Sequence, residues 1–135
     1  MAAAALAALL VLAGCGGGAA GTSEDILVID ERFFVARFFD IFSDMERHLG
    51  RTIQYEGMFF TRIHDGQVFY TVNRYTMGCC TIDPIGLEVL LNGITPPADN
   101  AWVQATGVLE ELDGFLVMRI TALTEMAERG ASFVQ

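Results

Sequence analysis

The sequence predicts a mainly β fold with an N-terminal helix: five strands closing into a small barrel, preceded by a strand–helix unit. Three observations carry this reading. Successive runs between Arg51 and Leu123 alternate apolar and polar residues, the period of a strand with one buried face. Two Asp-Gly pairs, Asp65-Gly66 and Asp113-Gly114, stand between such runs as tight-hairpin signals. Gly57 and Gly107 lie inside strand runs, where glycine lets a strand bend sharply at a barrel corner.

Taken in order, Ile26-Leu27-Val28-Ile29 is a short β-prone run. Asp30 is placed to cap a following helix, with Glu31 in its first turn. From Glu31 to Leu49, Phe34, Phe38, Ile41, Phe42, Met45 and Leu49 recur at spacings of three and four, one face of an amphipathic helix. Phe33, Val35 and Phe39 widen that face enough to meet a further element or a partner, and Gly50 ends the helix. Arg51–Ile63 and Gln67–Tyr75 then read as a hairpin across Asp65-Gly66. A loop, Arg74–Pro84, leads to a third strand, Ile85–Leu91. Asn92-Gly93 and Pro96-Pro97 mark an exposed connection. Ala101–Glu110 and Phe115–Leu123 form the last hairpin, and the final dozen residues suit either a short helix or an extended tail. Five such strands match the Greek-key barrel of the oligonucleotide/oligosaccharide-binding (OB) kind.

Composition narrows the function classes. All eight basic residues are arginine, against 17 acidic residues, for a net charge of −9. Such a chain repels phosphate backbones, so nucleic-acid binding is not expected. An acidic surface suits solubility, cations or basic partners. No Ser/His/Asp order, phosphate loop or pair of carboxylates at catalytic spacing is visible, and the chain is not read as an enzyme.

Met1 to Ala13 is an unbroken apolar run ending in Leu12-Ala13-Gly14-Cys15. As a helix it would measure roughly 20 Å, short of a hydrocarbon core of about 30 Å. It suits a signal peptide over residues 1–14, although only the α-amino group supplies positive charge at its start. Leu12-Ala13-Gly14-Cys15 looks like a bacterial lipobox, which would make Cys15 the site of lipid attachment. Residues 15–24 then form a glycine-rich tether, and residues 25–135 a single domain anchored to the membrane on its extracytoplasmic side.

The chemistry concentrates in Gly78-Cys79-Cys80-Thr81-Ile82-Asp83. Three readings stand beside one another. Cys79, Cys80 and Asp83 offer three donors for a metal such as zinc, with a fourth from water, His64, His48 or another chain. Adjacent residues of a regular strand point to opposite faces, so both thiols reach one ion only if the backbone turns, which Gly78 permits. The two thiols also suit a strained vicinal disulfide acting as a redox switch. Alternatively they pack as small hydrophobes. His48, near the helix end, and His64, in the hairpin, read as surface residues. Tyr55, Phe59, Phe69, Tyr70 and Tyr75 read as barrel core in preference to a stacking platform.

Ile26-Leu27-Val28-Ile29-Asp30, Leu49-Gly50-Arg51-Thr52-Ile53 with Tyr55-Glu56-Gly57, Arg74-Tyr75-x-x-Gly78-Cys79-Cys80-x-x-Asp83 and Thr106-Gly107 together resemble the C-terminal domain of the YcgQ-like permease subunits. The resemblance spans roughly Asp25 to Val134, and Cys-Cys-x-x-Asp is its most specific element. It implies an OB-like extracytoplasmic domain serving a membrane permease, with Cys79, Cys80 and Asp83 as signature residues and a connection to zinc supply. Family members usually begin with transmembrane helices, where this chain has the lipobox-like run. The expectation is therefore a lipid-anchored accessory module with a metal-binding loop. A purely structural or protein-interaction domain is the alternative.

Overall fold

A computed structural model describes residues 25–135. The signal peptide, Cys15 and the tether expected over residues 1–24 lie outside the described residues. Strand β1 (Leu27–Ile29) is followed by a single 3-10 turn (Glu31–Phe33), helix α1 (Phe34–Ser43) and a one-turn helix α2 (Met45–His48). Strands β2 (Thr52–His64), β3 (Gln67–Met77), β4 (Ile82–Leu90), β5 (Trp102–Leu112) and β6 (Phe115–Glu125) follow, and β7 (Phe133–Val134) closes the chain.

β2 through β6 make the expected five-stranded barrel. β2 pairs antiparallel with β5 through Thr52–Met58 and with β3 through Met58–His64, so one strand serves two neighbours on either side of a bend. Gly57 sits at the changeover, where a Cβ would lie 3.0 Å from the Asn73 carbonyl oxygen. β3 pairs antiparallel with β4, β4 parallel with β6, and β6 antiparallel with β5, which closes the ring. This is the order of an OB barrel. β1 adds parallel to the first half of β2, and β7 adds parallel to the end of β3.

Both Asp-Gly hairpins form as expected, with positive φ at Asp65, Gly66, Asp113 and Gly114. Gly107 stands at a register shift between β5 and β6, and a Cβ there would fall 2.4 Å from the Arg119 carbonyl oxygen. No side-chain rotation relieves a clash with backbone. Gly107→Ala should cost about 2–3 kcal/mol, the scale of overpacking at a tight site, read as a lowered midpoint in urea.

The predicted helix Glu31–Leu49 is broken in two. Asp44 leaves helical geometry (φ −136°, ψ 64°) and its carboxylate accepts the Arg47 backbone N–H at 3.4 Å, starting α2. A short acidic side chain competes here with the helical ladder. The other end is as expected: Asp30 accepts the Phe33 N–H at 3.2 Å, and Gly50 takes positive φ. Phe34, Phe38 and Ile41 are fully buried, whereas Phe42 turns half outward with Phe39. The helix plugs the barrel. Phe34 and Phe38 meet the Tyr55 ring edge-on at 5.8 and 5.1 Å. The Tyr55 hydroxyl donates to the Val72 carbonyl (2.9 Å) and accepts the Leu87 N–H (3.2 Å). Full burial pushes its pKa well above the ordinary phenol value. Phe59 is likewise core, with Tyr70 stacked on it at 5.6 Å.

The loop expected between Arg74 and Pro84 shrinks to the four-residue tip of a continuous β3–β4 hairpin. Pro84 is tolerated inside β4 opposite Tyr75 because Tyr75 directs its own N–H to Ser132 at 2.7 Å. That pair is thus not hydrogen-bonded across β3–β4, and the ladder loses nothing from a missing proline N–H.

Candidate metal centre and its surroundings

The β3–β4 hairpin ends in Gly78-Cys79-Cys80-Thr81, closed by the Gly78 N–H donating to the Thr81 carbonyl at 2.9 Å. Turning the chain between two antiparallel strands removes the alternation that would send adjacent side chains to opposite faces. Cys79 and Cys80 are both exposed free thiols, with sulfurs 3.3 Å apart. Exposure leaves each thiol reachable from solvent.

The remaining expected donors are not gathered there. The Asp83 carboxylate accepts the Thr81 hydroxyl at 3.1 and 3.2 Å and lies against Gly78, where a Cβ would sit 3.2 Å from Oδ2. It braces the turn. His64 stands at the opposite end of β3, paired with Asp65 at 3.4 Å in the first hairpin. Ten strand steps of about 3.3 Å separate the ends of β3, on the order of 33 Å, so the two sites do not meet within one chain. Among the described residues, no group of three or more His, Cys, Asp or Glu side chains stands ready to hold a metal ion.

His48 also departs from its surface reading, being 1% exposed. Its Nδ1 lies 3.2 Å from the Arg51 guanidinium, which can only donate, so the ring proton sits on Nε2. Nε2 lies 3.2 Å from the Asp40 carboxylate, within ion-pair range but out of hydrogen-bond alignment. The spacing of the predicted helix carries a signal for this burial, since His48 follows the core residue Ile41 by seven positions in the sequence.

Arg74, to which no sequence motif assigns a role of its own, is a densely bonded charged residue behind the tip. It is 3% exposed. Its Nε donates to the Glu56 carbonyl (2.7 Å), and Nη1 donates to Glu31 (3.0 Å) and to the Ala131 carbonyl (3.1 Å). The guanidinium also lies over the Phe34 and Trp102 rings at 4.9 and 4.8 Å. Glu31 accepts the Ala131 N–H at 3.1 Å as well. That backbone bond, and then Arg74, hold its carboxyl below the usual range. The first turn, the barrel and the C-terminal segment are thereby tied together, and the segment continues as β7 alongside β3. A hollow of about 260 Å³ opens beside this anchor, lined by Asp30, Glu31, Gln54, Glu56, Arg74 and Gln104 among others.

Residues 18–131 match the model of the DUF1980 C-terminal domain. The chain belongs to the DUF1980 C-terminal domain family. No curated protein matches it. Among solved structures it is similar to the dimeric N-terminal domain of the PriB protein from Thermoanaerobacter tencongensis. That likeness has 17% identity and a TM-score of 0.35, covering 57% of this chain and 97% of the other. It is too loose to bear on function. Within this DUF1980 domain the vicinal thiols and the Arg74 anchor occupy opposite ends of one short stretch, Arg74–Cys80, the first exposed and the second buried.

Proposed function

We propose that this DUF1980 domain is a membrane-tethered, extracytoplasmic accessory module of a permease system, and that its hairpin tip binds a soft transition metal, zinc foremost. One observation carries the reading: two exposed thiols, 3.3 Å apart, on a tip with no packing role for either. Two zinc–sulfur bonds of about 2.3 Å at a tetrahedral angle span about 3.8 Å. A small side-chain rotation brings the sulfurs to that bite. The acidic charge of the chain favours a cation over an anion as ligand. Cys15 as lipid anchor, residues 1–14 as signal peptide and a membrane permease as partner complete the proposal. Those parts rest on the lipobox-like run and on the resemblance to YcgQ-like permease subunits.

The test is a zinc titration of the reduced full chain carrying Cys15→Ser, which leaves only the tip thiols. Zinc should bind at micromolar concentration or below. Cys79→Ser and Cys80→Ser should each weaken it by at least about tenfold, about 1.4 kcal/mol. A second reading, a protein-interaction domain, draws on the exposed Phe39 and Phe42 rings of α1. Under it, both cysteine variants leave metal content unchanged.

A further inference from the structure

Two thiolates fill half of a tetrahedral zinc shell, and among the described residues nothing nearby supplies a third protein donor. The surroundings of the tip are not those of an isolated site. Met77 and Ile82, the cross-strand pair directly below it, are 76% and 58% exposed, and Phe133 on the adjacent β7 is 51% exposed. They flank hollows of about 290 and 400 Å³ on the two sides of Met77. A pair of exposed thiols flanked by the exposed Met77 and Ile82 side chains, with Phe133 on the far side of Met77, offers a contact surface with a polar centre.

We propose that a second copy of this chain completes the site: two tips meet about a twofold axis, four thiolates enclose one zinc, and the Met77, Ile82 and Phe133 rings of apolar surface close around it. This rests on the dithiol reading above and adds the partner. A twofold contact is self-complementary, so the same two cysteines serve both sides. Four sulfurs give the closed tetrahedral shell of a structural zinc centre. The contact is small beside the roughly 1,600 Å² of an ordinary stable interface, and each chain carries a charge of −9. Association is therefore conditional on the metal.

Sedimentation equilibrium of the reduced full chain carrying Cys15→Ser, with zinc chloride as the probe, tests this. Without zinc the mass should be that of one chain, 14.7 kDa. With zinc it should double, at one ion per two chains, and EDTA should reverse the change. Cys79→Ser and Cys80→Ser should stay single. Ile82→Arg, which keeps both thiols, should weaken the dimer at least about tenfold and move binding toward one ion per chain. One zinc per chain with no change in mass overturns the second-copy proposal and leaves the dithiol reading standing. No zinc uptake overturns both. A dimer that forms equally well in EDTA overturns the metal-bridged contact.

Discussion

Arg74→Ala should lower the unfolding free energy by about 3 kcal/mol, near the low end for removing one partner of a buried ion pair. The low end applies because the Glu31 side chain is 54% exposed, and solvent weakens that part of the interaction. Most of the loss comes from elsewhere. Two carbonyls, Glu56 and Ala131, lose their donor, and the space between the Phe34 and Trp102 rings empties. Arg74→Lys should recover only part, since an ammonium cannot reproduce the forked geometry. The Glu31 contribution has a definite pH sense. Its folded pKa is depressed, so that stability is present above the unfolded value of 4.5 and is lost as pH falls through the lowered folded value. Urea unfolding with hydrogen exchange of the 126–135 segment reads both effects. A loss under about 1 kcal/mol would show that the anchor is incidental.

Phe38→Ala should cost about 4 kcal/mol, within the range for a fully buried ring. The ring is inaccessible and meets Phe34 at 4.8 Å, Tyr55 at 5.1 Å and Phe42 at 5.8 Å. It is the centre of the helix plug. Phe39→Ala, one residue further on, removes a ring that is 64% exposed and should change stability by no more than about 0.5 kcal/mol. Thermal melts of the two variants compare the faces of one helix within one background. Equal losses would mean that Phe39 is packed in solution and not exposed.

What was legible in the sequence is what local geometry dictates. Asp65-Gly66 and Asp113-Gly114 announce hairpins because few residues accept positive φ. Gly57 and Gly107 announce barrel bends because backbone passes within 3.0 Å or less of where a Cβ would stand. The break at Asp44 was hidden because the apolar spacing runs on through Met45 and Leu49, while the break depends on one carboxylate choosing a backbone N–H. Arg74 was hidden for a different reason. Its partners Glu31 and Ala131 lie 43 and 57 residues away, and no periodicity encodes a buried cation. At the tip, the thiol pair was legible from two adjacent letters. The donor set was not, because Asp83 is taken up by its neighbour Thr81 and His64 lies at the far end of β3.

Metal binding at the dithiol tip is open to a direct measurement, zinc-edge X-ray absorption of the zinc-loaded, reduced Cys15→Ser chain. Sulfur neighbours should appear at about 2.3 Å and be lost when Cys79 and Cys80 are both changed to serine. A first shell of nitrogen and oxygen alone at about 2.0–2.1 Å would contradict it.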